Sequence, residues 1–153
     1  MRQCGPCSAC CSVIAVRAID KPCFEPCPDQ GESGCSVYKK QQPIPCASYR
    51  CHWLDGQLAE SERPDLVGLI FDDGLSRLFR PMWGENAIVA RETAPGTPSQ
   101  PRAADLIQQK ADGGLHVFVK MFGGGTRVVS SDPEVTARFI QTRARFSTPK
   151  ERA

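Results

Sequence analysis

The sequence predicts an α+β protein: a loop-rich N-terminal cysteine-cluster module that binds metal, followed by a small, mostly antiparallel sheet with two helices. Three observations lead there. All nine cysteines stand within the first 51 of 153 residues. The same stretch is punctuated by Pro and Gly and has one short apolar run, residues 13–16. Beyond residue 64 the pattern changes to short apolar runs separated by turn residues, with helical spacing in two places. The expected organisation is a cysteine-rich module over 1–58, an α+β domain over 59–148 and a frayed tail over 149–153.

In the second part, Val67-Gly68-Leu69-Ile70-Phe71 reads as a strand and Asp72-Asp73-Gly74 as hairpin turn chemistry. Residues 75–82 then alternate well enough for a second strand, and residues 87–90 for a third. Pro95, Pro98 and Pro101 mark a loop. Ala103, Leu106, Ile107 and Lys110 come next at helical spacing, closed by Gly113-Gly114. Residues 115–122 form a strand with Val117, Val119 and Met121 on one face, and Gly123-Gly124-Gly125 turns it into a strand over 126–130. The last helix opens with Asp132 as N-cap and Pro133 at the first helical position. Val135, Phe139, Thr142 and Phe146 share one of its faces.

The first part is poor in apolar residues and cannot offset its chain entropy by burial alone. Metal–thiolate bonds are the staples its composition offers. No leader-like segment and no apolar run of membrane length is visible, so a cytoplasmic protein is expected, where clustered thiols act as ligands or catalytic groups. Net charge is only +2, which implies no strong attraction to nucleic acid or to a membrane. The basic residues Arg138, Arg143, Arg145, Lys150 and Arg152 read as a solvated helix face and tail. A protein partner is compatible with the sequence but nothing in it identifies one.

Cys4-Gly5-Pro6-Cys7 spells the thioredoxin dithiol. That dithiol requires a buried strand before it and a long helix after it. Here three residues precede Cys4 and further cysteines come after Cys7, so the tetrapeptide reads as a turn between two ligands.

Taken with the later cysteines, the pattern is Cys4-x2-Cys7-x2-Cys10-Cys11, then Cys27, Gly34-Cys35-Ser36-Val37-Tyr38, Gln42-Pro43-x2-Cys46 and Tyr49-Arg50-Cys51-x-Trp53. Over roughly residues 4–55 this resembles the YkgJ-type cysteine-cluster family of zinc- or iron-chelating proteins, with its C-x2-C-x2-C-C signature. The resemblance implies metal binding without implying a reaction. A similar cluster occurs in flagellin lysine methylases, which makes an iron–sulfur cluster a reasonable expectation. This chain departs from the family pattern at Gln42 and Ala47, where arginine is common, and in carrying Cys23.

The metal ligands expected are Cys4, Cys7, Cys10, Cys11, Cys27, Cys35, Cys46 and Cys51. Cys4, Cys7 and Cys10 match the three-ligand spacing of a [4Fe–4S] cluster, with a fourth ligand from the later cysteines. Zn2+ is the alternative, although the later cysteines form no second Cys-x2-Cys knuckle. Eight cysteines allow two four-thiolate sites or one site with spare thiols, and the adjacent Cys10 and Cys11 point in different directions.

The function expected is therefore a metal-binding protein holding an iron–sulfur cluster or a related thiolate site, structural or electron-transferring. The alternatives are a structural zinc module for protein or nucleic-acid interaction, and a metal-handling protein. An Fe–S oxidoreductase is compatible with the sequence, but no catalytic set is visible outside the cysteines. His52 reads as an exposed loop residue, with a ligand or hydrogen-bonding role as the alternative. His116 reads as structural, and Tyr38 and Trp53 as shields for the metal. Gly123-Gly124-Gly125 lacks the Lys-Ser/Thr of a phosphate loop and reads as a hairpin turn.

Overall fold

The computed structural model describes residues 2–5, 7–32, 34–44, 46–74 and 79–147, with side chains through 143. Its order is α1 (Ala9–Val13), β1 (Gln30–Gly31), β2 (Gly34–Cys35), α2 (Pro64–Val67), β3 (Leu69–Asp72), α3 (Phe79–Trp83), β4 (Ala87–Glu92), α4 (Pro101–Asp112), β5 (His116–Lys120), β6 (Thr126–Val129) and α5 (Pro133–Ser147). The fold is α+β. β1 and β2 form a small antiparallel pair, and the main sheet has the order β3-β4-β5-β6.

In the main sheet β3–β4 and β5–β6 are antiparallel, whereas β4–β5 is parallel. The parallel pair needs a long crossover, and α4 supplies it. Its Ala103, Leu106, Ile107 and Ala111 are buried at helical spacing. Alternation along the strands then sends side chains to two faces. Ile88, Ala90, Val117 and Val119 face the cluster that contains α4, while Ala87, Val89 and Phe118 face the opposite layer. Phe79, Trp83, Val135 and Phe139 close that second layer. Phe79 and Trp83 both contact the Phe118 ring, at centroid separations of 5.1 and 4.8 Å.

Two expectations are corrected. Asp72-Asp73-Gly74 does not make a tight hairpin, because β3 pairs with β4, whose first residue is Ala87. Residues 79–82 are helical rather than extended, and residues 75–78 of the expected strand lie outside the described residues. Pro81 would interrupt a sheet ladder, but in the first turn of α3 its missing N–H costs nothing. Val67 likewise belongs to α2, and Gly68 at φ 71° turns the chain into β3. The glycine-rich turn joins β5 and β6 as expected, with Met121 N–H donating to Gly125 O at 2.9 Å. α5 starts where expected, with Glu134 N–H donating to Asp132 Oδ1 at 2.8 Å. The side chain of Phe146 and the tail 149–153 lie outside the described residues.

The cysteine-rich segment is built on the sheet. Val13, Cys51, Trp53, Leu54 and Leu58 belong to the same buried cluster as Leu69, Ile70, Phe71 and the α4 face. Burying a side chain such as Phe71 stabilises by about 1.5–3 kcal/mol, so this shared core offsets part of what the segment's own composition lacks. Backbone bonds add to it: His52 N–H donates to Phe71 O of the edge strand β3 at 2.8 Å. The Arg2 guanidinium reaches Trp53 O at 2.9 Å and Leu58 O at 2.6 Å and lies over the Trp53 ring.

Candidate metal centre

Short elements bring distant cysteines together. α1 carries Cys10 and Cys11. Cys27 N–H donates to Cys11 O at 3.1 Å, which pins the second cysteine region to the first. Gln30 of β1 donates to Ser8 Oγ at 2.9 Å and accepts from Ser12 Oγ at 3.1 Å, so the β1–β2 pair that carries Cys35 is held against α1. Gly34 lies so close to Gly5 that a Cβ there would stand 2.3 Å from Gly5 O, and its φ is +112°. Only glycine permits that approach.

The result is a cavity of about 230 Å³ with Cys4, Cys10, Cys11, Cys27, Cys35 and Cys46 in its wall. Tyr38 also lines it, and its hydroxyl accepts from Cys4 N–H at 3.4 Å. Beneath it, toward the sheet, a second cavity of about 20 Å³ is lined by Cys4, Cys7, Cys10 and Cys51, with Trp53, Pro64 and Ile70. All eight expected ligands therefore face one or both cavities. Cys23 is exposed and lines neither. Among the described residues, no group of three or more His, Cys, Asp or Glu side chains is already placed to hold a metal ion.

The electrostatics reflect these contacts. Cys10 interacts with both Cys11 and Cys4, which raises its own pKa strongly and lowers theirs, that of Cys4 to about 7. Burial pushes the Cys7 thiol up to about 11, opposed by backbone hydrogen bonds at Ala9 and Asp65. Burial also raises Cys35, Cys46 and Cys51. Negative charge on Cys11, Cys27 and Cys35 adds to the shift of Cys46, and charge on Cys4 adds to that of Cys51. Thiols held above their ordinary range stay protonated at neutral pH unless a cation takes the place of the proton.

Two further groups in the walls suit a thiolate-bound occupant. Lys21 is only 5% exposed and lines the large cavity, its ammonium donating to Ile14 O at 2.6 Å and Pro22 O at 3.1 Å. A buried positive charge favours thiolates nearby, and it adds a smaller contribution to the lowering of the Cys11 pKa that the Cys10 hydrogen bond dominates. The indole Nε1 of Trp53, in the small cavity's wall, is buried with no hydrogen-bond partner among the described residues. Trp53 shares that wall with Cys4, Cys7, Cys10 and Cys51, and an unpaired N–H is the kind of donor that tunes a thiolate site.

The histidines are occupied elsewhere. His52 is buried rather than exposed, a correction to the loop reading, and its Nε2 lies 2.8 Å from Asp73 Oδ1. Asp73 also pairs with Arg80 at 2.7 Å. His116 Nδ1 lies 2.8 Å from Ser130 Oγ, bracing β5 to the residue after β6. A feature the sequence did not reveal is the buried carboxylate Asp72, which pairs with Arg91 and accepts from Gly74 N–H at 2.7 Å. The signal was present in Asp72 ending an otherwise apolar strand, but turn chemistry explained it equally well.

No protein-family model, curated protein or solved structure matches this chain. No helix among the described residues is long and apolar enough to cross a membrane.

Proposed function

We propose that this chain is a metal-binding protein whose cysteines hold an iron–sulfur cluster or a related thiolate site, either to stabilise the N-terminal segment or to transfer electrons. One observation carries the reading: six cysteines from separate pieces of chain line a single cavity of about 230 Å³. Nine cysteines used merely as small apolar residues would scatter through the core, and six would not converge on one space.

The size of the space bears on the metal. Around one tetrahedral zinc, with Zn–S near 2.3 Å, the sulfurs sit about 3.8 Å apart. In a polynuclear cluster each thiolate binds a different iron, so the ligands stand farther apart around a larger body. The large cavity suits the second arrangement, with ligands drawn from Cys4, Cys10, Cys11, Cys27, Cys35 and Cys46. When bound, such a cluster would supply one-electron exchange. The chain's own residues would orient the thiolates, place the Lys21 charge beside them and exclude water with Tyr38 and Trp53. The zinc reading keeps one specific support, the small cavity among Cys4, Cys7, Cys10 and Cys51, which has room for a single ion. The resemblance to the YkgJ-type family agrees with either metal, and a cytoplasmic setting agrees with free thiols.

The test is metal and acid-labile sulfide content, with an absorption spectrum, on anaerobically purified protein. Iron with matching sulfide and a brown colour is the expected result. Stoichiometric zinc without sulfide would leave a structural zinc module, and metal-free protein that stays folded would overturn metal binding.

A further inference from the structure

The two cavities divide the cysteines in only one way. Cys7 and Cys51 line the small cavity alone, whereas Cys11, Cys27, Cys35 and Cys46 line the large cavity alone. Cys4 and Cys10 stand in the wall between them. If two sites each take four thiolates from one cavity, the small cavity must claim Cys4 and Cys10. The remaining four then make a complete second set. We propose that the chain holds two separate thiolate metal sites: an inner one at Cys4, Cys7, Cys10 and Cys51, and an outer one at Cys11, Cys27, Cys35 and Cys46. The proposal rests on the metal-binding reading above and goes beyond it in the number, ligands and accessibility of the sites.

The local geometry agrees. Cys10 and Cys11 are consecutive in α1, so their side chains leave the helix about 100° apart; both reach the large cavity, but only Cys10 also lines the small one. The hydrogen bond from Cys27 N–H to Cys11 O joins two members of the outer set. Cys7 and Cys51 of the inner set are each 7% exposed, in a wall completed by Trp53, Pro64 and Ile70. The outer four are half-buried, and their cavity also includes the exposed Lys39 and the half-buried Gln42 and Arg50. The inner set therefore has two members, Cys7 and Cys51, buried toward the sheet, whereas every member of the outer set is half-buried beside a polar mouth. A metal in the inner site would lock the segment to its platform. One in the outer site would be within reach of a chelator, a redox partner or an acceptor for metal.

The experiment uses the full chain, purified anaerobically and loaded with iron and sulfide or with zinc, and counts iron, zinc and sulfide per chain. Wild type should hold two complements, a single ion at the inner site and an ion or a cluster at the outer one. Cys27→Ser and Cys46→Ser should each remove one complement, Cys7→Ser and Cys51→Ser the other, and Cys46→Ser combined with Cys51→Ser should remove both. Two variants per set guard against one that fails to fold. In wild type a chelator should strip the outer complement first, giving two-phase release. A wild type with a single complement, or one substitution emptying the whole chain, would overturn the two-site arrangement and leave metal binding standing. A wild type that takes up no metal would overturn both.

Discussion

Tyr49 donates its phenolic hydrogen to Asp72 Oδ2 at 2.9 Å, and the same carboxylate receives Arg91 Nε at 2.7 Å and Nη2 at 3.1 Å. Tyr49 lines both cysteine cavities, so this contact ties their walls to a buried ion pair on β3 and β4. Burial, reinforced by the Asp72 charge, raises the Tyr49 pKa well above its ordinary value and keeps the hydroxyl a donor. Burial works against the Arg91 charge, but Asp72 outweighs it and leaves the guanidinium pKa raised.

Removing parts of this network should cost unequal amounts. Tyr49→Phe deletes one bond to a charged acceptor that keeps its other partners, at about 1.5 kcal/mol. Asp72→Ala strands a mostly buried guanidinium, at about 3–5 kcal/mol. Denaturant unfolding of the two variants checks the ranking; equal losses would mean that Arg91 finds water when Asp72 is gone.

Gly34→Ala should damage the cysteine region. The new methyl meets Gly5 O, and the left-handed backbone adds about 1–3 kcal/mol of strain. Gly31→Ala, whose Cβ would find its nearest neighbour at an ordinary 3.5 Å, is the control and should be tolerated. Metal uptake measured beside thermal unfolding should fall for the first variant only.

His52→Ala tests whether the histidine is a ligand. Its ring nitrogen is taken by Asp73, so metal content per folded chain should match wild type. Stability should still drop by about 1–3 kcal/mol as the buried imidazole and its bond to the exposed Asp73 are lost. Loss of one metal complement instead would place the imidazole in the coordination sphere.

Removing metal should loosen the two parts of the chain unequally. On the metal-binding reading the segment through residue 58 would lose its thiolate staples, whereas β4 and β5 keep α4 on one face and α3 and α5 on the other. Amide hydrogen exchange after chelation should rise across α1, β1 and β2 before it rises across β4 and β5. A uniform rise would show the metal supporting the whole chain as one cooperative unit.

Much of the fold is legible from periodicity. α4, β5, β6 and α5 emerge from the spacing of Leu106 and Ile107, the alternation at Val117 and Val119, and the Asp132-Pro133 start. Residues 79–82 mislead because alternation over so few positions does not separate a strand from one helical turn. What decides there is tertiary: Phe79 and Trp83, four apart, both pack on Phe118. The parallel register of β4 and β5 is hidden for the same reason, since adjacency in a sheet is fixed by packing between distant residues. At the site, spacing identifies the cysteines but does not sort them. Sorting depends on how Cys27, Cys35, Cys46 and Cys51 fold back onto α1, and that is set by contacts such as Gly34 against Gly5 and Trp53 in the core.

The bond from His52 N–H to Phe71 O has a consequence for how the chain behaves in company. β3 ends its sheet, and an uncovered end strand offers free N–H and C=O groups as a template for another molecule. Residue 52, next to Cys51, caps part of that template. If metal holds Cys51 in place, scarcity of metal would bare the strand and invite self-association. Metal supply would then govern whether the protein stays dispersed as well as whether its first residues are folded.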